Sequence, residues 1–126
     1  MERMDPVEFK QWLEDRTRAF AVASLKFLDA LPKKNSTRVV AFQLGKSATS
    51  IGANYREANR AESRVDFGHK LQIAMKEAAE SVYWLEVLSG LYPMHETIKT
   101  LEREAIELRN LLQSISSSAR RKSRGH

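Results

Sequence analysis

Several short patterns in the chain belong to chemistry-bearing motifs elsewhere. Leu44-Gly45-Lys46-Ser47 resembles the end of a phosphate-binding loop. The full motif puts its first glycine at position 40, where Val40 stands, and it needs a strand before a glycine-rich turn. Here the same residues lie inside a helical pattern, whose backbone N–H groups are already used, so nucleotide triphosphate binding is not expected. Asp66-Phe67-Gly68 matches the metal-binding tripeptide of kinases, but no Gly-rich loop and no His-Arg-Asp segment accompany it. Asn35-Ser36-Thr37 is a glycosylation sequon that matters only in a secreted chain.

Of His69, His95 and His126, only Asp66-x-x-His69 has ligand-like spacing, near a helix end on a polar face. A di-iron bundle needs Glu-x-x-His on two helices and a Glu from each of two more, so no metal centre and no cofactor are expected. The chain has no cysteine, which removes thiolate zinc sites, iron–sulfur clusters, disulfides and cysteine nucleophiles. Serines occur without a partner that would activate them. Glu57 with Glu77 could form a general acid–base pair. The plainer reading of Arg16, Ser47, Asn54, Glu57 and Glu77 is a structural polar network at the core margin, because half-buried polar groups must find partners. No enzyme is expected.

Charge is distributed unevenly. The net is +5. The segment 33–64 carries Lys33, Lys34, Arg38, Lys46, Arg56, Arg60 and Arg64 against Glu57 and Glu62. The last eleven residues carry Arg120, Arg121, Lys122 and Arg124 and no acid. Clustered cations suit either a polyanion such as RNA or DNA, or a solubilising tail together with an ordinary solvated helix face. On a polyanion they contact phosphates and do not read bases. No aromatic-interleaved basic run suggests base stacking.

The elements that must position these groups are helices. Asp5 is a fitting N-cap and Pro6 a fitting first residue for a helix carrying Phe9, Leu13, Phe20, Ala23, Phe27 and Leu31 on one face, ended by Pro32. A second helix runs from Ser36 or Thr37 to about Glu62, with Val40, Leu44, Ile51, Tyr55 and Ala58 apolar. Ser63-Arg64-Val65-Asp66 is capping-box-like and opens a third, with Phe67, Leu71, Ala74, Ala78, Val82, Leu85 and Leu88 in its stripe and Gly90 as its stop. A fourth begins near Pro93 and carries Met94, Ile98, Leu101, Ala105, Leu108 and Leu112. The expected fold is all-α: an antiparallel up-and-down four-helix bundle over residues 1–115, followed by a disordered basic tail over 116–126, where the serine run breaks the pattern. One domain fits the length of 126 residues. No apolar run reaches the ~20 residues of a membrane span, and MERMDPVEFKQ lacks a signal-type apolar region, so a cytoplasmic protein is expected.

Ala41, Gly45, Ala48 and Gly52 share one face of the second helix and would let another helix approach closely, in the chain or in a second copy. With the apolar surplus of Trp12, Tyr83, Trp84 and Val87, this stripe is expected at a homo-oligomer interface.

The run Leu44-Gly45-Lys46-Ser47-Ala48-Thr49-Ser50-Ile51-Gly52-Ala53-Asn54-Tyr55-Arg56-Glu57-Ala58 resembles the signature of the 23S rRNA intervening-sequence-encoded protein family, bacterial four-helix-bundle proteins. Ser63, Asp66-Phe67, Lys70-Leu71, Ile73-Ala74, Lys76-Glu77-Ala78, Glu80-Ser81 and Trp84-Leu85 continue the resemblance. It implies an antiparallel four-helix bundle in a homopentamer, without enzymatic activity. The chain is also similar to the accessory variability determinant of diversity-generating retroelements, a basic pentamer that works with a reverse transcriptase and its RNA. Two functions follow as expectations: an oligomeric nucleic-acid-binding or nucleoprotein accessory protein, or a protein–protein scaffold that docks an enzyme such as a polymerase or reverse transcriptase.

Overall fold

The structure is a computed structural model that describes residues 3–124, with side chains as far as Lys122. It contains α1 (Pro6–Ala30), α2 (Asn35–Asn59), α3 (Arg64–Leu91) and α4 (Glu96–Arg124), joined by short connections. Each helix packs on the next, α2 most extensively on α3, and α4 closes back on α1 through the thinnest contact of the four. This is the expected antiparallel bundle.

Local chemistry explains the ends. Asp5 Oδ1 accepts the Glu8 N–H at 2.8 Å with Pro6 at the first turn. Ser63 Oγ accepts the Asp66 N–H at 3.0 Å and starts α3. At the start of α2, the Lys34 N–H donates to Thr37 Oγ1 at 3.0 Å, while the Thr37 hydroxyl donates to the Pro32 carbonyl. These bonds bring the helix start forward to Asn35. Helix α2 ends at Asn59, short of Glu62, because the Arg60 N–H turns back to the Glu57 and Ala58 carbonyls.

The core contains nearly every apolar position the periodicity selects, from Leu13 and Phe20 through Leu44, Ile51, Leu85 and Leu88 to Leu108 and Leu112. Three positions differ. Ala23 is exposed, and the buried neighbours on α1 are Thr17 and Ser24. Met94 is 83% exposed because α4 starts only at Glu96 and leaves residues 92–95 as a connection. Gly90 does not stop α3: its φ is negative, and the helix runs on to Leu91 with Tyr92 as its cap.

Helix α4 passes through Ser116–Ser118, where the sequence pattern predicts a break, and reaches Arg124. Ile115 packs on the core, and Ser116 is only 5% exposed. Ser116 Oγ accepts from Gln72 Nε2 of α3 at 3.3 Å. The Arg121 side chain donates to Ser118 Oγ at 3.3 Å. Serines that find such partners cost the helix little, and cations in its last turns are favoured by the negative end of the helix dipole. The Arg124 side chain and residues 125–126 lie outside the described residues.

Candidate nucleic-acid interface

The bundle brings the C-terminal part of the first basic segment to the same end as the second. Helix α2 descends to Arg56 and Arg60, the turn presents Arg64, and the end of α4 comes down beside them with Arg120, Arg121 and Lys122. Lys33, Lys34 and Arg38 lie at the opposite end, roughly one 25-residue helix or about 37 Å away. Lys46 stands between, on α2. At 100° per residue, Arg38, Lys46, Arg56 and Arg60 fall within about 80° of one another, on one side of the helix.

All ten of these described cations are exposed. Only two have a carboxylate: Glu14 of α1, itself nearly buried, lies 3.4 Å from Arg56 Nε and 3.8 Å from Arg60 Nη1 and accepts from Asn59 Nδ2 at 3.0 Å. Among the described residues Lys33, Lys34, Arg38, Lys46, Arg64, Arg120, Arg121 and Lys122 have no ion-pair partner. Glu14 is the member of this region that the sequence does not advertise. It is one of several acids in α1, and more than forty residues of chain separate it from its partners.

Around the α2–α3 turn these elements enclose a cleft of about 710 Å³. Its floor is Phe67, Gly68 and Leu71 of α3. Its far wall is Ser116 and Ala119 of α4, and Arg64, Arg120 and Lys122 line it against a single acid, Glu62.

The five residues expected to form one polar network do not meet. Arg16 pairs with α4: its Nε donates to Glu104 Oε2 and its Nη2 to Glu104 Oε1, both at 2.7 Å, and Nη2 lies 2.9 Å from Glu107 Oε2. The guanidinium carbon stands 5.2 Å from the Trp12 ring centroid. These carboxylates hold the Arg16 pKa above its ordinary value. Ser47 Oγ and Ser81 Oγ form a buried hydrogen bond of 2.9 Å between α2 and α3. Asn54 donates to the Ser50 carbonyl of its own helix. Glu57 is 60% exposed and pairs with Lys70 Nζ at 3.2 Å. Glu77 is half-buried near Glu80, and burial, aided by that neighbour, raises its carboxyl pKa. Helices running in opposite directions place Glu57 at the start of α3 and Glu77 beside the middle of α2, so the two carboxylates form no pair.

The small-residue stripe is largely occupied within the chain. A Cβ built on Gly52 would stand 2.8 Å from Thr17 Oγ1 of α1, and one on Gly45 would touch Leu28 and Leu25. Ala48 is fully buried, and Ala41 is half-buried beside α1. Close approach of α1 accounts for Gly45 and Gly52, and Ala48 is taken up in the core. Large apolar groups are exposed elsewhere: Phe42 (69%) with Val39 on α2, and Tyr83 (57%) on α3.

No helix among the described residues is long and apolar enough to cross a membrane. The comparison with curated proteins gives no match. A solved structure at 1.70 Å resolution, of a protein with unknown function from the S23 ribosomal protein family of Bacteroides thetaiotaomicron VPI-5482, is 40% identical with a TM-score of 0.76. The similarity covers 82% of this chain and 97% of that one. Residues 11–114 match the model of the 23S rRNA-intervening sequence protein family. That match takes in the two inner helices and the greater part of α1 and α4, the arrangement seen here, and the chain belongs to this family.

Proposed function

We propose that this chain is a non-enzymatic, homo-oligomeric nucleic-acid-binding protein, an accessory to a nucleoprotein complex, whose binding is electrostatic and largely independent of sequence. One observation carries the reading. Eight exposed cations without carboxylate partners among the described residues are gathered at the start of α2 and along it, at the α2–α3 turn and on the last turns of α4, and four of them, Arg64, Arg120, Arg121 and Lys122, stand together at one end of the bundle. Unpaired cations concentrate positive potential and attract phosphates. Arg64, Arg120, Arg121 and Lys122 form the main contact, with Arg56 and Arg60 behind them partly neutralised by Glu14. Lys33, Lys34, Arg38 and Lys46 extend the contact along α2.

Assembly uses the apolar surface around Phe42 and Tyr83, and the family resemblance implies a pentamer. Each copy then repeats the cationic end, so weak contacts of single subunits add through effective concentration. The exposure of Phe42 and Tyr83 equally suits a protein partner, which is the scaffold reading.

Electrophoretic mobility shifts with unrelated duplex DNA and structured RNA separate the two. The nucleic-acid reading expects binding to both at about 50 mM salt, weakening steeply as salt rises. Absence of binding there, or binding indifferent to salt, would refute it in favour of the scaffold.

A further inference from the structure

The cleft at the α2–α3 turn has a chemistry of its own. Its floor is the partly buried Phe67 ring beside fully buried Leu71. Gly68 follows Phe67 on the same wall, and a Cβ there would meet no heavy atom within 4 Å, so the space above the helix is open. Two arginines and a lysine surround this floor, and Glu62 is the single acid among them. A volume of about 710 Å³ lies within the range of small-molecule sites. An aromatic floor with a guanidinium-rich rim suits a ligand that has a flat, weakly polar body and a phosphate. Guanidinium groups bind phosphate in bidentate fashion, and aromatic faces stack on bases of any kind.

We infer that this cleft takes an unpaired nucleotide of a single strand, with its base over Phe67 and its phosphates on Arg64, Arg120 and Lys122. A paired base would first have to leave its stack at a cost of several RT, so the cleft selects strands already open. The polymer is favoured over a free nucleotide because unpaired Arg121 lies next along α4, where the flanking phosphates of a strand would continue. The α2–α3 part of the cleft lies inside the residues 11–114 that match the family model, and its α4 wall lies beyond them. Sequence alone could not suggest it, because Phe67 and its cations come from two segments about fifty residues apart that only the fold brings together. The inference rests on the nucleic-acid reading above.

The test uses the full chain and its Gly68→Leu variant, which fills the cleft without removing a charge. Because Gly68 has open space and leucine favours helix, the variant should unfold no earlier than the parent. Fluorescence anisotropy measures binding to oligouridine and oligoadenosine of about ten nucleotides and to an RNA duplex of the same length, at matched salt. The parent should bind the single strands at least about fivefold more tightly than the duplex, the lower bound for stacking one base. Gly68→Leu should remove that preference and leave duplex binding and its salt dependence unchanged. If the parent shows no preference, or the folded variant keeps it, the cleft assignment is wrong while the electrostatic reading stands. If adenosine 5′-monophosphate displaces the oligonucleotide as well, mole for mole, as the unlabelled strand does, the strand assignment is overturned in favour of a free nucleotide. If neither polymer binds at about 50 mM salt, both readings fall together.

Discussion

Three glycines inside helices give a sharp internal comparison. Replacing a helical glycine by alanine gains about 1 kcal/mol from backbone entropy wherever the methyl group has room. Gly68 has that room, with nothing within 4 Å of the added Cβ. Gly45 has it too, because Leu28 and Leu25 would sit at 3.6 and 3.7 Å, an ordinary contact distance. Gly52 does not. Its Cβ would fall 2.8 Å from Thr17 Oγ1 and 3.1 Å from Thr17 Cβ. Thr17 is fully buried and its hydroxyl is committed to the Leu13 and Glu14 carbonyls, both at 2.9 Å, so it has no easy rotamer to escape into. Helix α1 must move instead, and overpacking of this kind costs about 1–3 kcal/mol. Gly68→Ala and Gly45→Ala should therefore be more stable than the parent by up to about 1 kcal/mol. Gly52→Ala should fall below Gly68→Ala by about 1–3 kcal/mol, the overpacking difference alone. Urea unfolding followed by far-UV circular dichroism, at one protein concentration so that assembly does not confound the comparison, reads these differences. A Gly52→Ala protein as stable as Gly68→Ala would refute the close α1–α2 approach at Thr17.

Four further outcomes follow from the same geometry. Arg16→Ala should lose about 1–3 kcal/mol in urea unfolding, because it leaves Glu104 without its bidentate partner where α1 meets α4 most thinly. Ser24→Ala should be neutral or stabilising by up to about 1 kcal/mol, since the Ser24 hydroxyl is buried without a partner among the described residues. Glu77 has a folded-state pKa raised above 4.5, so the fold holds its proton more tightly than the unfolded chain does; that contribution is present below pH 4.5 and is lost as pH rises through the folded value. Glu77→Gln should thus raise the melting temperature at neutral pH, and the gain should vanish in acid. Phe42→Arg should shift sedimentation toward the monomer if the exposed apolar face of α2 joins subunits, whereas an unmodified protein that sediments as a monomer at micromolar concentration would refute that assembly.

The bundle was legible because apolar residues recur at helical spacing over long stretches, and because Asp5, Ser63 and Pro32 mark ends by known local chemistry. Sequence and structure differ where a local signal meets tertiary context. Ser116–Ser118 reads as a break, yet Ser116 finds Gln72 across the bundle and the helix continues. Gly90 reads as a stop, but nothing there requires a positive φ. The small-residue stripe reads as a face for a second copy, and only the fold shows that α1, from the same chain, meets it at Gly52. Glu57 and Glu77 look paired on paper because both adjoin the core. Antiparallel packing separates them and gives Glu57 to Lys70. The cationic residues are all readable in the sequence, but neither the meeting of Arg56, Arg60 and Arg64 with the cations of α4 at one end nor the cover that Glu14 provides for Arg56 and Arg60 is encoded in spacing.

The central claim is that the cationic end of the bundle holds phosphates, and the salt dependence of binding measures it most directly. Duplex affinity is titrated against salt for the full chain and for the triple variant Arg120→Gln, Arg121→Gln, Lys122→Gln. Each lost phosphate contact should reduce the slope of log K against log salt by about 0.9, so the variant should bind more weakly to unrelated sequences alike, with a slope shallower by up to about 2.7. An unchanged slope and affinity would contradict the account.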